Sequence, residues 1–458
     1  MPKSLQINKK IMNKYLEFQI NYPYFNYNTY NIQLLSDKLK ISFDFDNGKF
    51  SFHPSSYWRF NKTLNAKKLN FNEIEAFVFN IGMIELISYW KATCSPIVNI
   101  NLSFLSDYQT MWWKNLYYYG MGEFFYKNNI EIKIDEFIHF YINNFKTYKK
   151  PNLKYLDDNK VIVPIGGGKD SIVTLELLRR SDFEIIPLII NPNEATLRIL
   201  DIAHIPRSDI IEIHRMIDPT LLELNKKGFF NGHTPFSAML AFYSIFSAYM
   251  IGAKYIALSN EFSANESTVR DSYVNHQYSK SLKFENDFRD YVKKYLNDEI
   301  EYFSFLRPLH ELQVVKLFTN YPQYFYAFRS CNIGSKNDSW CANCAKCLFV
   351  ALMLSVYLDP QEIKKILGVD IFSNLKLKPI MDELLGLKET KPFECVGTIY
   401  EVRAVVNHLL MDKNYNCLPL FSDLKPMPAA NLDDLEKSWN DIHFLPEKFE
   451  KLLKKNFY

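Results

Sequence analysis

A run of three glycines followed by Lys-Asp-Ser, at residues 166–171, constrains the fold of this chain more than any other feature. It follows the β-branched run VIVPI and precedes SIVTLELLRR, whose apolar residues recur at helical spacing. Glycines let a ligand approach the backbone, and the free N–H groups at a helix start attract anions. We therefore predict a strand, an anion-binding turn and a helix. Ser171 would donate to a phosphate oxygen, Lys169 would supply positive charge, and Asp170 would bind Mg²⁺ or orient the loop.

This turn matches neither of the two commoner nucleotide-binding patterns. GxGxxG is absent, and the lysine follows the glycines without the spacing of GxxxxGK[ST]. The alternative to an anion site is a plain tight turn whose glycines serve packing.

Further strand-like runs follow the glycine turn. EIIPLIINP, DIIEIHR and YIALSN are separated by segments with helical spacing, a pattern that indicates a parallel sheet with crossover helices. Ligands of such sheets bind outside the carboxyl ends of the strands. We expect these ends at residues 164–171, 191–193 and 259–265.

Length and composition favour a globular protein of several domains. At roughly 150 residues per domain, 458 residues make about three. We predict an α+β amino-terminal domain (1–155) of unknown role, an α/β domain (156–360) and a helical carboxyl-terminal region (361–458). The 54 Lys and Arg against 51 Asp and Glu leave a net charge of +3, too balanced to indicate nucleic acid or an acidic membrane as partner.

Two segments bear on targeting. The amino terminus has basic residues but no apolar core or cleavage site, so it does not predict a secretory signal. Residues 234–253 carry no charged side chain and are long enough to span a bilayer, yet Ser and Tyr interrupt them and a strand-like run follows. We interpret this segment as a buried helix and expect a cytoplasmic protein without membrane contact.

Four cysteines lie within 17 residues, namely Cys331, Cys341, Cys344 and Cys347. CxxC spacing suits tetrahedral Zn²⁺, and a site closed by four ligands is structural. An iron–sulfur cluster is the alternative, whereas disulfides suit a cytosolic protein poorly. A fifth cysteine, Cys395 in KPFECVGT, is predicted to lie in a loop, where its thiolate would move a proton or simply pack.

The stretch after YIALSN is too polar for a core. Because it follows a strand's carboxyl end, we interpret it as a ligand site, with a solvated insertion as the alternative. Its polar residues are Asn260, Glu261, Ser263, Asn265, Glu266, Arg270, His276, Gln277, Ser279 and Lys280.

These segments resemble known families. GGGKDS resembles the PP-loop of ATP pyrophosphatases, SGGxDS, with Gly166 in place of the leading Ser, and the cysteine-rich segment resembles the zinc site of 7-cyano-7-deazaguanine synthases. Together with SNEFSANESTV, HQYSKS, CANCAKC and PFECVGT, the turn resembles the ATP-dependent UDP-N-acetyl-α-D-muramoyl-L-alanyl-L-glutamate epimerases of peptidoglycan synthesis. The resemblance covers about residues 155–410.

The resemblance implies a PP-loop fold (adenine nucleotide alpha hydrolase-like), a parallel sheet with helices on both faces. It implies that ATP adenylates the terminal L-glutamate of UDP-N-acetylmuramoyl-L-alanyl-L-glutamate, that the α-proton is exchanged between faces, and that AMP, diphosphate and the D-glutamyl product leave. ATP as co-substrate, Mg²⁺ and a structural Zn²⁺ would be required. An L-glutamate-adding muramoyl ligase would be the metabolic partner.

The implied site residues fall into three groups. ATP and pyrophosphate would bind at Gly166, Gly167, Gly168, Lys169, Asp170, Ser171 and Asn191, with backbone near Leu188–Asn191 on the adenine. The substrate would bind at Asn260, Ser263, Asn265 and Arg270. Catalytic candidates, which the sequence does not rank, are Asp170, Glu261, Glu266, His276, Lys280 and Cys395.

Two other readings stay open. One is a PP-loop enzyme acting on a nucleobase or tRNA, such as a deazaguanine nitrile synthase, although the balanced charge gives an RNA substrate little support. The other is a nucleotide-binding protein without turnover, against which the intact Asp170 and Ser171 speak.

Overall fold

The computed structural model describes residues 14–64, 71–151, 156–428 and 431–457. The argument about a secretory signal concerns mainly residues 1–13, which lie outside the described residues. The described strands are β1 Tyr24–Leu34, β2 Lys38–Asp46, β3 Ser51–Phe52, β4 Ser55–Arg59, β5 Ile97–Ile100, β6 His139–Ile142, β7 Asp157–Pro164, β8 Glu184–Ile190, β9 Ile211–Met216, β10 Ala253–Leu258 and β11 Glu301–Ser304.

Helices connect and flank these strands. Besides residues 14–21, the described α-helices are Phe71–Trp90, Asp107–Gly120, Gly122–Lys127, Ile134–Phe137, Lys169–Leu178, Glu194–Ile202, Pro219–Lys226, Phe236–Ile251, Leu282–Tyr295, Glu311–Thr319, Ala345–Leu354, Pro360–Leu367, Lys378–Leu384, Ile399–Met411, Leu432–Lys437 and Glu447–Phe457. The protein is thus mixed α/β, as the sequence predicts at this level.

The chain forms two compact units, each assembled from separate segments. The first unit comprises residues 1–158, 211–255 and 273–301, and the second comprises residues 159–210, 256–272 and 302–458.

The first unit contains a mixed sheet in the order β9-β4-β2-β1-β5-β6. Strands β1, β2, β4 and β9 pair antiparallel, whereas β5 pairs parallel with β1 and with β6. In β2 every second side chain is buried, as the alternation in LKISFDFD requires of a sheet with one face on the core.

The charge-free segment predicted to be a buried helix is the helix Phe236–Ile251 of this unit, and nearly all its side chains are buried. It packs on the sheet through hydrogen bonds to β4: the Tyr243 and Ser56 hydroxyls lie 2.5 Å apart, and the Trp58 indole donates to Ser247 Oγ at 3.0 Å. No helix among the described residues has the length and apolar character needed to cross a membrane.

The second unit contains strands in the order β11-β10-β7-β8, although the first residues of three of these strands belong to the first unit. β7 and β8 are parallel, with Val161 opposite Ile185 and Val163 opposite Pro187. The helix Lys169–Leu178 connects them, as a crossover between parallel strands must. This is the strand–turn–helix arrangement that the glycine run predicts.

Candidate functional site

The glycine turn follows the carboxyl end of β7. Gly167 has a φ of +89°, which strongly favours glycine. Its carbonyl accepts the Arg329 N–H at 2.8 Å, and a Cβ on Gly168 would lie 3.1 Å from Ser330 Oγ. A Cβ on Gly166 would meet no atom within 4 Å. The turn is therefore held on one side by residues 329–330 and is open at Gly166.

The helix after the turn begins with a buried charged side chain. The Lys169 ammonium contacts the carboxylates of Asp170 and Glu311. Burial alone would lower the pKa of Lys169, but these two carboxylates raise it, so the ammonium stays charged. Ser171 donates its hydroxyl to the Gly168 carbonyl at 2.9 Å, which closes the turn.

Glu261 lies buried in the segment that follows β10. Burial, and then the negative charges of Glu401 and Asp170, raise its pKa to about 7, although the backbone N–H and hydroxyl of Ser263 donate to it and act in the opposite direction. The buried Arg307 guanidinium donates to the Glu261 main-chain carbonyl at 2.6 Å. A carboxyl with this pKa changes its protonation state near neutral pH.

A second buried pair completes the interior of the site. His310 Nδ1 lies 3.6 Å from Glu401 Oε1, an ion-pair separation, and neither atom has a hydrogen-bond partner among the described residues. The other Glu401 oxygen accepts the backbone N–H and hydroxyl of Thr398 at 3.0 and 2.8 Å. Burial disfavours the charged form of both side chains, but the interaction with the oppositely charged partner outweighs it. The pKa of His310 is therefore raised and that of Glu401 is lowered.

Four carboxyl groups, Asp170, Glu261, Glu311 and Glu401, thus interact electrostatically beside the glycine turn. Asp170 is the most accessible of the four, with 36% of its side chain exposed. Carboxylates around an accessible Asp suit a hard divalent cation, and a buried carboxyl with a pKa near 7 suits proton transfer.

Part of the polar segment, around Glu266 and Arg270, contacts residues 386–399. Glu266 forms an ion pair with the buried Lys391, and Arg270 donates to the Gly386 carbonyl at 3.0 Å. Asn260 donates to Ser304 Oγ at 3.0 Å, and Asn265 donates to the Phe262 carbonyl at 3.0 Å. These contacts make residues 260–270 a structured wall of the second unit.

The segment PFECVGT links this wall to the cysteines. A Cβ on Gly397 would lie 2.9 Å from two ring atoms of Phe349, in the helix Ala345–Leu354. Asn332, next to Cys331, donates to the Glu394 carboxylate at 2.8 Å. Cys395 is partly exposed in the loop between them, as the sequence predicts.

The cysteine cluster (Cys331, Cys341, Cys344 and Cys347) brings its four sulfur atoms within 4.8 Å of one another. The sulfur–sulfur distances are 3.9 Å for Cys331–Cys344, 3.7 Å for Cys341–Cys347 and 3.5 Å for Cys344–Cys347. The cluster is a set of ligands able to hold one metal ion, as the CxxC spacing predicts.

Comparison with known proteins identifies the family. Residues 17–305 match the model of the MurL N-terminal domain, and residues 327–437 match that of the MurL C-terminal domain. The chain belongs to the MurL family. The residue patterns of the turn, the polar segment and the cysteines correctly indicate this family.

Three curated MurL relatives carry the name UDP-N-acetyl-alpha-D-muramoyl-L-alanyl-L-glutamate epimerase. The protein from Xanthomonas oryzae pv. oryzae (strain MAFF 311018) is 31% identical over 334 residues, 71% of this chain and 72% of its own length. Those from Salinispora tropica and Micromonospora sp. are each 33% identical, over 274 and 250 residues. These alignments cover 58% and 53% of this chain, and 59% and 55% of the relatives.

Two catalytic candidates lie in the other unit of this MurL chain. His276 Nδ1 is 2.5 Å from Glu123 Oε2, and the Lys280 backbone N–H donates to the Gln277 carbonyl, both within the first unit. Asn191, a predicted nucleotide-binding residue, directly follows β8 and has a left-handed φ of +50°. Asp170 and Glu261 thus interact electrostatically within the second unit, whereas His276 lies in the first unit.

Sequence reasoning missed several residues of this candidate site. Arg307, His310 and Glu311 follow β11 directly, so the rule that ligands bind at strand ends would have found them had the short strand EYFS been recognised. Glu401 is a different case. Thr398 and Glu401 form a helix capping box, a pattern that predicts the start of a helix but not a catalytic or binding role. Lys391 showed no signal.

Proposed function

We propose that this MurL protein epimerises the terminal L-glutamate of UDP-N-acetylmuramoyl-L-alanyl-L-glutamate to D-glutamate, using ATP and releasing AMP and diphosphate. The observation that carries the proposal is the cluster of buried carboxyl groups beside the open glycine turn, in a chain whose curated relatives are named as this epimerase. The L-glutamyl substrate would come from a ligase that adds L-glutamate to the UDP-muramoyl-alanine precursor, a metabolic link without physical contact.

Adenylation makes the proton transfer feasible. Removing the α-proton of a free carboxylate places a second negative charge beside the first, whereas an acyl-AMP is neutral at that position and delocalises the carbanion. In our proposal the turn binds the phosphates through backbone N–H groups at the start of the helix Lys169–Leu178. Asp170 would hold Mg²⁺, which offsets the charge of the phosphates.

We assign a proton-transfer role to Glu261. It is buried, so water does not compete for the proton, and its pKa of about 7 suits a group that exchanges a proton with one face of the α-carbon. Inversion needs a second proton donor on the opposite face, and water then hydrolyses the acyl-AMP to give AMP and the D-glutamyl product. Ser263 fixes the carboxyl through two hydrogen bonds. Arg307, which holds the Glu261 backbone, acts as a positioning residue.

We further propose that the cysteine cluster holds a structural Zn²⁺. With Zn–S bonds of about 2.3 Å, a tetrahedral site has sulfur atoms about 3.8 Å apart. The observed distances of 3.5–3.9 Å fit this value. The Gly334 backbone N–H donates to Cys331 Sγ at 3.1 Å, a contact that suits a thiolate ligand.

The test is an incubation with ATP, Mg²⁺ and the L-glutamyl substrate in deuterated water. AMP is followed by chromatography, and the configuration and deuterium content of glutamate are measured after hydrolysis. We expect AMP together with D-glutamate that carries deuterium at Cα. AMP without inversion would refute the epimerase proposal, and absence of AMP would refute adenylation of this substrate.

Two variants separate the proposed roles. Asp170→Asn should abolish AMP formation, because the nucleotide loses its metal ligand. Glu261→Gln should keep AMP formation under single-turnover conditions but reduce deuterium incorporation at least 100-fold. Loss of AMP formation in Glu261→Gln would instead assign Glu261 to nucleotide or Mg²⁺ binding.

A further inference from the structure

The first unit contains a second group of potential metal ligands, Glu123, His233 and His276. One ligand atom from each lies within 4.8 Å of the others. Both imidazoles approach the same carboxylate oxygen: Glu123 Oε2 is 2.5 Å from His276 Nδ1 and 3.4 Å from His233 Nδ1. The ring centroids of the two histidines are 4.7 Å apart. Both Nδ1 atoms therefore lie near one carboxylate oxygen.

The carboxylate is oriented by a lysine on its own helix. Lys127 Nζ lies 2.5 Å from Glu123 Oε1, one helical turn away. This contact occupies one oxygen and leaves Oε2 directed at the histidines. Glu123 is 5% exposed, so its charge is nearly removed from water. A buried carboxylate with a fixed orientation is what a metal site requires of an oxygen ligand.

The loop that carries His233 is held in place by its neighbours. The Lys91 ammonium donates to the Gly232 carbonyl at 2.7 Å, and the Asn128 amide donates to the Asn231 carbonyl at 3.1 Å. Gly232 has a φ of +149°, and a Cβ there would lie 3.3 Å from the Phe124 ring, so the loop passes close to the helix that carries Glu123.

His276 is fixed independently. It lies inside a turn in which Asn275 Oδ1 accepts the Gln277 backbone N–H at 2.7 Å. Before the turn, the Tyr273 ring stacks on Tyr118, and after it the Tyr278 ring stacks on Tyr119. Three separate chain segments thus converge, each with its own support.

From this geometry we propose that Glu123, His233 and His276 bind one divalent transition-metal ion of the Zn²⁺ class. Bonds of 2.0–2.1 Å in a tetrahedral site place ligand atoms about 3.3 Å apart. The His233–Glu123 distance already has this value, and the His276–Glu123 distance must widen by less than about 1 Å. An ion pair with Glu123 would need only one histidine. A bound metal ion explains why two histidines approach the same carboxylate oxygen.

Three protein ligands leave a coordination position for water or a substrate oxygen. This distinguishes the site from the cysteine cluster, whose four sulfurs complete a tetrahedron. It also gives His276 a role other than that of a proton donor. The proposal goes beyond the proposed epimerase function and does not depend on it.

The test measures zinc content in the full-length protein. The protein is stripped with a chelator, reloaded with Zn²⁺, desalted and analysed by mass spectrometry of the metal. Wild type should bind one more zinc ion per chain than the double variant His233→Gln/His276→Gln. The exposed His139→Gln is the matched control and should bind as wild type does. Because the readout is a difference, it holds whatever metal the cysteine cluster carries.

Cobalt distinguishes the two kinds of site. In the double variant Cys341→Ser/Cys344→Ser, Co²⁺ should give visible bands of nitrogen and oxygen ligands without thiolate charge transfer. Equal zinc content in wild type and a folded histidine variant would overturn the proposal. If the histidine variant does not fold by circular dichroism, Glu123→Gln decides: the proposal expects at least tenfold weaker Zn²⁺ binding, and unchanged binding refutes it.

Discussion

Burial acts on Glu261 and Lys169 with opposite outcomes. At Glu261 the neighbouring carboxylates act in the same direction as burial, so the proton is retained to about pH 7. At Lys169 two carboxylates outweigh burial and the ammonium keeps its charge. One site therefore contains both a buried ammonium that keeps its charge and a buried carboxyl group whose pKa lies near neutrality.

The raised pKa of Glu261 predicts a pH-dependent stability. Its folded pKa, about 7, lies above the unfolded value near 4.5, so the folded state binds the proton more tightly and stability is lost as pH rises between these values. Glu261→Gln removes this loss. Its free energy of unfolding relative to wild type should be higher at pH 8 than at pH 5 by roughly 2–3 kcal/mol, measured by urea unfolding.

Any loss of hydrogen bonds to Ser263 in Glu261→Gln is independent of pH and cancels in this comparison. The exposed Glu299→Gln is the control for loss of a glutamate charge at the protein surface. A Glu261→Gln effect that is the same at pH 5 and pH 8 would contradict the prediction.

The sequence indicated residues of the site where strand ends could be recognised. Asp170 and Glu261 follow β7 and β10, whose apolar runs are clear, and their carboxyl groups interact electrostatically. Glu401 was hidden because its spacing from Thr398 also serves a helix cap. His276 is only 15 positions after Glu261 but lies in the first unit, because the chain passes from the second unit to the first at residue 273. No local sequence pattern predicts this change of unit.

At the scale of elements, Gly397 fixes the approach of the segment PFECVGT to the helix Ala345–Leu354. It precedes Thr398 and the helix Ile399–Met411, which carries Glu401. The packing of Gly397 on Phe349 therefore positions one of the four carboxyl groups. Glycine is needed at this position because a Cβ would have no space beside the Phe349 ring, and not because of its φ.

Gly397→Ala should destabilise the protein by about 1–3 kcal/mol, because the new Cβ overlaps the Phe349 ring. Denaturant unfolding measures the effect. Gly166→Ala is the matched control: its Cβ meets no atom within 4 Å, so stability should change by less than about 1 kcal/mol. Phe349→Leu should cost less in the Gly397→Ala background than in wild type, and additive effects would contradict the overlap.

Strand positions were predictable, but not all strand partners. VIVPI, EIIPLIINP and YIALSN all form strands, and the first two pair parallel as predicted. DIIEIHR forms β9, which pairs antiparallel with β4 from the amino-terminal part of the chain. The apolar run indicates that a strand is buried, but it carries no information about the direction of a partner strand about 150 residues away.

At the scale of the whole molecule, the cysteine cluster closes a loop of the second unit that carries residues on both sides of the site. Arg329 and Ser330 contact the glycine turn just before Cys331, and Asn332 contacts Glu394 just after it. Metal binding at the cluster would therefore stabilise the turn and PFECVGT together.

Removal of the metal should accordingly lower the thermal midpoint of the protein and increase proteolysis within residues 327–347. The variant Cys344→Ser should reproduce both effects, since a structural zinc site contributes directly to folding. Differential scanning fluorimetry with and without a chelator measures the first effect. The exposed Cys417→Ser is the control and should behave as wild type, and a wild-type midpoint insensitive to the chelator would contradict the prediction.

The interleaving of the two units has a consequence for synthesis on the ribosome. When residue 210 leaves the exit tunnel, β4 still lacks β9, and the second unit still lacks every residue from 256 onward. Neither unit is complete at that point, and a strand edge with unpaired backbone groups is exposed. The edge of β4 therefore stays unpaired until residues 211–216 have been synthesised, and the first unit is complete only after residue 301.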